Sequence, residues 1–115
     1  MYRTLIGLPL LACLFLSSHP LLAKTSEDST HQVTVYIFLS ETCALSRYYT
    51  LPLRILHEEF SNIRFVGVFP NYLSTHETMS QFNTKFKVPF DSVLDSDCKL
   101  VKSLGATITP EAVVV

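Results

Sequence analysis

Hydrophobic residues along the chain form four short runs separated by longer segments of mixed polarity. The runs are VTVYIFL at 33–39, IRFVGVF at 63–69, a short run ending near Leu94, and EAVVV at 111–115. Runs of this length, rich in β-branched and aromatic residues, are typical of strands, and the first has hardly a polar break. The pattern therefore predicts four strands, the first of them buried on both faces of a sheet.

The segment that follows the first strand has helical periodicity. Between 44 and 60, apolar residues recur at intervals of three and four, which predicts an amphipathic helix. The residues of its predicted apolar face are Leu45, Tyr48, Tyr49, Leu53, Leu56 and Phe60.

Two further helices are predicted from their end signals. Ser74 and Glu77 have the spacing of a capping box, which predicts a helix from there to about Phe86. The acidic and serine residues at 95–97 offer N-caps for a helix over 98–104, and Gly105 suits a left-handed C-terminus. Strands and helices thus alternate, which predicts an α/β domain with a central, mostly parallel sheet and helices on both faces.

The N-terminal 23 residues are typical of a secretory signal peptide. Arg3 precedes an apolar run at 5–16, and the segment ends in a small-residue exit at Ala23. A retained membrane anchor remains an alternative, although the run is short for a bilayer span of roughly 20 residues. The sequence before Cys13 also resembles a bacterial lipobox, which would make Cys13 a lipidated N-terminus.

The rest of the chain is predicted to be a flexible leader followed by one domain. Residues 24–32, KTSEDSTHQ, are polar and lack an apolar period, whereas 33–115 carry all the predicted elements. We therefore predict an exported protein, periplasmic or secreted.

Charge and cysteine content exclude several classes of function. The formal net charge is −1, and removal of Arg3 makes it more negative, so the chain does not attract nucleic acid or anionic lipid. Cys43 and Cys98 are too few for a disulfide scaffold, and neither belongs to a paired motif that could hold zinc. We predict neither a metal site nor a cofactor.

Cys43 is the strongest candidate for chemistry. It follows the first strand and lies in the first turn of the first helix, where free amides and the helix dipole stabilise an anion. Such a position lowers a cysteine pKa from about 8.5 into a range of roughly 3.5 to 7.5 and makes the sulfur nucleophilic. Ser46, three residues later, can direct its hydroxyl or amide at that sulfur. The alternative is that Cys43 is a small buried hydrophobic residue.

Three segments carry a resemblance to a known family. VTVYIFLSETCALSRYYTLPLRILHEEF, FVGVFP and LGATITPEAVVV resemble the thioredoxin-like redoxins of the alkyl hydroperoxide reductase and thiol-specific antioxidant (AhpC/TSA) type, over about 33–115. The resemblance implies a thioredoxin-like fold with Cys43 as the nucleophile. It also implies a cis peptide bond between Thr109 and Pro110 that faces Cys43 and opens the strand that binds substrate backbone. Thr109 and Thr42 would then line the substrate groove.

The sequence departs from this family in three places that bear on activity. The Cys-x-x-Cys dithiol reads Cys43-Ala-Leu-Ser46, so the helix provides no resolving thiol. The peroxiredoxin pattern is half met, because Ser40 fits but Tyr36 stands where proline is expected. The final strand and C-terminal helix of the family do not follow the EAVVV run, which predicts an unpaired sheet edge and a fragment of a longer protein.

The sequence therefore predicts an exported thiol oxidoreductase that uses a single cysteine nucleophile. Cys43 would attack a protein or small-molecule disulfide, or be oxidised by a peroxide, and an external thiol donor or Cys98 would release it. Whether Cys98 is a resolving thiol or an incidental one stays open, because a disulfide needs Cα atoms within about 7 Å. The alternative function is a redox-inactive module that binds a peptide or partner in the groove beside Pro110.

Overall fold

The structure, a computed structural model, describes residues 32–115. The predicted signal peptide at 1–23, Cys13 and the leader up to residue 31 lie outside the described residues. The elements are β1 (Thr34–Phe38), α1 (Ala44–Glu59), β2 (Arg64–Phe69), α2 (His76–Phe86), β3 (Asp91–Leu94), α3 (Lys99–Leu104) and β4 (Glu111–Val114). This is the predicted order, with ends that differ from the predicted ones by one or two residues.

The sheet has the strand order β3-β2-β1-β4. β1 pairs in parallel with β2 and β2 with β3, whereas β4 runs antiparallel to β1. Phe38, the last residue of β1, lies opposite Val68 on one side and Glu111 on the other. The carboxyl ends of three strands and the start of β4 therefore meet at one edge of the sheet. Among the described residues, the outer side of β4 has no strand partner, as predicted.

Apolar side chains cover both faces of this sheet, as predicted. The cluster on one face consists of Ile37, Leu39, Phe65, Phe69, Met79, Phe82 and Phe90, with Leu53 of α1 packed against it. The cluster on the other face consists of Phe38, Val66, Val68 and Ala106, with Leu100, Val101 and Leu104 of α3 packed against it. Thus α1 and α2 share one face and α3 covers the other. Burial of each large apolar side chain contributes about 1.5 to 3 kcal/mol.

The prediction for the apolar face of α1 was wrong. Of the residues assigned to it only Leu53 is half-buried, while Leu45, Tyr48, Tyr49, Leu56 and Phe60 are exposed. Ser46 and Thr50 are buried instead. Both hydroxyls find partners, since the Ser46 oxygen accepts from the Ser40 amide and the Thr50 hydroxyl donates to the Arg47 carbonyl at 2.7 Å. Because both hydroxyls have hydrogen-bond partners, their burial costs little free energy.

The helix caps differ from the predicted ones in detail. The capping box of α2 begins at Thr75, whose hydroxyl oxygen accepts from the Thr78 amide, so the prediction of Ser74 and Glu77 was one residue off. In α3 the N-cap is Cys98. Gly105 ends α3 in the left-handed conformation, as predicted. In the described part of the chain, no helix is long and apolar enough to cross a lipid bilayer.

The Asp95 carboxylate supports the start of α3. It accepts hydrogen bonds from the Leu100 and Val101 amides, at 3.1 and 3.0 Å. Free amides in the first turn of a helix need such acceptors. The prediction of an N-cap within 95–97 was therefore wrong, although Asp95 of that stretch does bind the first-turn amides from three residues before the N-cap.

Candidate active site

Cys43 is the N-cap residue of α1, at the sheet edge where the strands end. Its amide donates to the Ser40 carbonyl at 3.2 Å, and its own carbonyl accepts from the Arg47 amide at 3.3 Å. The residue is half-buried and its thiol is free. The turn after β1 thus places the sulfur beside the amides of the first turn of α1, as the sequence predicted.

Ser46 is the main influence on the Cys43 sulfur. Its side chain is fully buried, and its Oγ accepts from the Ser40 amide at 3.1 Å, which leaves the hydroxyl hydrogen free to be donated to Cys43. Hydrogen bonds from the Ser46 amide and then the Ser46 hydroxyl lower the pKa of Cys43, with a smaller contribution from the Leu45 amide. Burial opposes this effect but is outweighed. The thiolate is therefore favoured.

Thr109 contacts Cys43 from the other side. The Cys43 thiol donates to the Thr109 carbonyl, with 3.3 Å between sulfur and oxygen, and the bond between Thr109 and Pro110 is cis. A carbonyl acceptor favours the protonated thiol, whereas the Thr109 side chain contributes weakly to lowering the Cys43 pKa. The two effects of Thr109 on the Cys43 pKa oppose each other, so Ser46 determines the direction in which this pKa shifts.

Of the remaining predicted site residues, Pro110 lines a groove and Thr42 does not. Pro110 lines an apolar groove of about 350 Å³, together with Leu45, Tyr49 and other side chains. Thr42 is exposed, and its hydroxyl bonds to that of Ser40 at 3.1 Å rather than lining the groove.

Cys98, the candidate resolving thiol, is not bonded to Cys43. Its thiol is free and donates to the Pro70 carbonyl at 3.4 Å. Cys98 and Thr109 both line a second cavity, of about 360 Å³. Within residues 32–115, no three His, Cys, Asp or Glu side chains lie together as a candidate metal site.

Glu41 is a site residue that the sequence analysis missed. Its carboxylate accepts from the Ser74 hydroxyl at 2.7 Å and from the Thr78 hydroxyl at 2.9 Å. Its carbonyl accepts from Nη2 of Arg47 at 2.9 Å, so this guanidinium binds the loop rather than the Cys43 sulfur. Glu41 thus ties the loop before Cys43 to the start of α2. The available signal was an acid next to the cysteine and two hydroxyl residues at a helix start.

Glu111, at the start of β4, was also missed. One carboxylate oxygen, Oε2, accepts from the Thr107 amide at 2.6 Å and from the Ile108 amide at 3.1 Å. These bonds hold the pKa of Glu111 below its usual range. The segment that carries Thr109 is therefore held by a charged side chain two residues after it.

Solved structures of similar fold include bacterial and archaeal proteins of the thioredoxin type. A secreted Mycobacterium tuberculosis disulfide oxidoreductase, described as homologous to Escherichia coli DsbE, has 18% identity over 72% of this chain and 60% of its own, with a TM-score of 0.65. The thioredoxin domain of a Bacteroides vulgatus thiol-disulfide oxidoreductase has 19% identity over 73% and 62%, with a TM-score of 0.63. A thioredoxin-like protein from Aeropyrum pernix has 18% identity over 73% and 62%, with a TM-score of 0.65.

Sequence comparison adds no family assignment to these structural likenesses. No protein-family model matches the chain, and no curated protein matches it significantly. The chain spans about 60% of the length of the structures it resembles. At these low identities the likeness shows the fold alone, and that fold is thioredoxin-like, as the resemblance in the sequence implied.

Proposed function

We propose that the protein is an exported thiol-disulfide oxidoreductase in which Cys43 is the nucleophile. The observation that carries the proposal is the Cys43 sulfur at the start of α1, where Ser46 lowers its pKa and Thr109 contacts it. A thiolate at neutral pH is the reactive form of cysteine. Support also comes from the disulfide oxidoreductase function named for two of the similar structures. Export rests on the sequence of residues 1–23.

The proposed reaction begins with attack by the Cys43 thiolate on one sulfur of a disulfide. A new sulfur–sulfur bond forms to Cys43, the bond within the substrate breaks, and the departing sulfur leaves as a thiolate that takes a proton from water. A second thiol then attacks the Cys43 sulfur, so the remaining half of the substrate leaves as a thiol and Cys43 is left in a disulfide with the second thiol. A further thiol reduces this disulfide, becomes oxidised in turn and restores Cys43. Because Ser46 stands where a dithiol helix has its second cysteine, the second thiol is an external donor or Cys98.

A protein or small-molecule disulfide is the favoured substrate. The Thr109 carbonyl lies against the Cys43 sulfur, and among residues 32–115 the Thr109 amide has no hydrogen-bond partner. An unpaired amide and a carbonyl next to the reactive sulfur suit the backbone of an extended peptide. A peroxide would instead oxidise Cys43 to a sulfenic acid. A positively charged group near the sulfur would assist the oxygen anion that departs in this reaction, but the Arg47 guanidinium donates to the Glu41 carbonyl. A peroxide substrate is therefore less favoured.

A second candidate function is a redox-inactive binding module. The apolar groove of about 350 Å³ beside Pro110 favours it, as does Ser46 in place of a second thiol. In this alternative the groove holds a peptide or partner, and Cys43 takes no part in chemistry.

The pH dependence of Cys43 alkylation separates the two candidates. The full chain is treated with iodoacetamide at a series of pH values, and mass spectrometry of its peptides follows Cys13, Cys43 and Cys98 separately. We expect the midpoint of Cys43 labelling to lie below the ordinary cysteine value of about 8.5, because hydrogen bonds from Ser46 stabilise the thiolate. A midpoint at or above about 8.5, or no labelling before unfolding, would leave the binding module as the better description.

The role of Cys98 is tested with the same chain and its Cys98→Ser variant. Both are mixed with 2-hydroxyethyl disulfide, and the Cys43 adduct is followed by mass. If Cys98 resolves the adduct, the wild type loses it and accumulates an internal disulfide, whereas the variant retains it. If the adduct lasts equally long in both, the second thiol is an external one. The Cys43→Ser variant controls for direct reaction of Cys98.

A further inference from the structure

The segment between α3 and β4 lacks backbone acceptors for its amides. The Ala106 amide donates to the Val101 carbonyl, and the next residue in regular structure is Glu111. Between them, the amides of Thr107, Ile108 and Thr109 have no backbone carbonyl partner among residues 32–115. A segment of this kind keeps one conformation only if another group accepts its hydrogen bonds.

Glu111 provides the acceptor for two of these three amides. Its Oε2 accepts from Thr107 and Ile108, and lies 3.5 Å from the Thr107 hydroxyl oxygen. The backbone of Glu111 is itself fixed in the sheet, because Glu111 lies opposite Phe38 in the pairing of β4 with β1. The carboxylate therefore connects the segment at 107–108 to a fixed position in the sheet.

Of the three amides in this segment, Glu111 leaves only that of Thr109 unbound. Thr109 lies between Ile108, which Glu111 holds, and Pro110, which precedes Glu111. Its carbonyl is 3.3 Å from the Cys43 sulfur, and its amide has no partner in the described part of the chain. The Thr109 carbonyl is thus held against the sulfur, and neither polar group of Thr109 is hydrogen-bonded within the segment itself.

We propose that Glu111 is a positioning residue whose carboxylate holds residues 107–109 so that Thr109 presents its amide and carbonyl to a peptide substrate at Cys43. Glu111 touches neither the sulfur nor the substrate and acts through Thr109. The proposal rests on the proposed function for its consequence in catalysis. Its structural content, the hold on Thr107 and Ile108, is independent of that function. The low pKa of Glu111 agrees with it, since the amides stabilise the charged form.

Three substitutions separate the acceptor from the charge. Glu111→Ala removes the acceptor. Glu111→Gln removes the charge but keeps a side-chain oxygen at the same distance from the backbone. One oxygen is sufficient, because Oε2 alone accepts from both amides. Glu111→Asp keeps the charge but is one methylene shorter and cannot reach both amides. The proposal expects Gln to behave like the wild type, and Ala and Asp to behave alike.

The first measurement is amide hydrogen exchange by NMR in the full chain. In Glu111→Ala and Glu111→Asp, the Thr107 and Ile108 amides should exchange about tenfold faster, as expected when a local hydrogen bond is lost without global unfolding. Exchange in β2 and α2 should stay unchanged, which shows that the variants are folded. Unchanged exchange at Thr107 and Ile108 would overturn the proposal whatever the activity of the protein.

The second measurement compares three reagents for Cys43 in the Cys98→Ser background. Iodoacetamide reports the thiolate, 2-hydroxyethyl disulfide reports exchange without a peptide backbone, and the disulfide-linked dimer of a neutral pentapeptide with a central cysteine reports exchange with one. In Glu111→Ala we expect the peptide rate to fall about tenfold and the other two rates to change less than about twofold, because only the peptide uses Thr109.

Each outcome of this comparison has a defined meaning. An equal fall with all three reagents would indicate general damage and contradict a positioning role, as would a Glu111→Gln variant as slow as Glu111→Ala. If the wild type reacts with neither disulfide, the proposed function fails. The amide hydrogen-exchange measurement alone then decides whether Glu111 holds residues 107 and 108.

Discussion

The two helices that share one face of the sheet are buried in opposite ways. α2 turns Met79 and Phe82 into the core, at 8% and 4% exposure, and keeps polar residues in solvent. α1 buries Ser46 and Thr50, at 0% and 6%, and leaves Tyr48 75% exposed. Apolar packing therefore attaches α2 to the domain, whereas α1 combines the packing of Leu53 with hydrogen bonds of Cys43 and Ser46 at the site.

This contrast separates the side chains that stabilise the domain from those that set its chemistry. Ser46, which lowers the Cys43 pKa most, occupies a position in α1 where an ordinary helix would bury leucine. Its hydroxyl is held at the sulfur because it is buried and its oxygen accepts from the Ser40 amide. Substitutions in α2 should then change the stability of the domain, and substitutions in α1 should change the reactivity of Cys43 more than stability.

The largest effect is expected for Phe82→Ala. Phe82 packs edge-on against Phe69 with ring centroids 5.5 Å apart and is almost fully buried. Removal of a buried phenylalanine ring costs about 3 to 5 kcal/mol. Urea unfolding followed by circular dichroism should show this loss. Gln81→Ala, at an exposed neighbouring position, is the matched control and should change the free energy of unfolding by less than about 0.5 kcal/mol. Equal effects would mean that α2 is not attached through its apolar face.

The next effect is expected for Ser46→Ala, and it should appear in the pKa of Cys43. The substitution removes the hydroxyl that lowers this pKa and leaves the Ser40 amide without its acceptor. The pKa of Cys43 should rise, so alkylation slows at neutral pH and recovers at alkaline pH, where the thiolate forms in both proteins. The loss of stability should be about 1 to 3 kcal/mol, the cost of a buried group left unpaired.

An exposed serine in α2 provides the control for this substitution. Ser80→Ala makes the same chemical change at a solvent-facing position and should leave the alkylation profile of Cys43 unaltered. A Ser46→Ala profile that coincides with the wild type would show that backbone amides alone set the pKa of Cys43.

A smaller effect is expected for the link between the two helices. Glu41 joins the loop before α1 to the start of α2 through Ser74 and Thr78. Hydrogen bonds to a charged group contribute about 1.5 to 3 kcal/mol when buried, and Glu41 is only half-buried, so Glu41→Ala should cost about 1 kcal/mol. A double-mutant cycle with Ser74→Ala measures the coupling. Additive losses would indicate that the bond contributes nothing to stability.

The sequence predicted the elements of the fold well where hydrophobic pattern and caps agree. The four strands and the C-cap at Gly105 follow from local signals and were confirmed. The buried face of α1 was not predicted, because Ser46, Thr50 and Leu53 also recur at helical spacing. Hydrophobicity then selected the wrong set of positions.

The candidate site was predictable in part. The position of Cys43 and the cis bond before Pro110 follow from the strand–helix junction and from the family resemblance. The contacts of Glu41 were not predictable, since its partner Ser74 is 33 residues away and depends on how α2 docks. The contacts of Glu111 are local but require a loop conformation that no sequence pattern specifies.

The smallest effect is expected for Tyr48→Gln on the exposed face of α1. Tyr48 contacts Tyr49 edge-on at 5.8 Å, and this pair is the main interaction that the substitution removes. An exposed aromatic pair contributes about 0.5 kcal/mol, so both the free energy of unfolding and the alkylation profile of Cys43 should stay close to the wild type. A loss above about 2 kcal/mol would mean that another surface covers this face in solution. If that loss depends on protein concentration, the covering surface belongs to a second copy of the chain. If it does not, the covering surface belongs to the same chain. The difference in burial between α1 and α2 would then be smaller than their exposed fractions indicate.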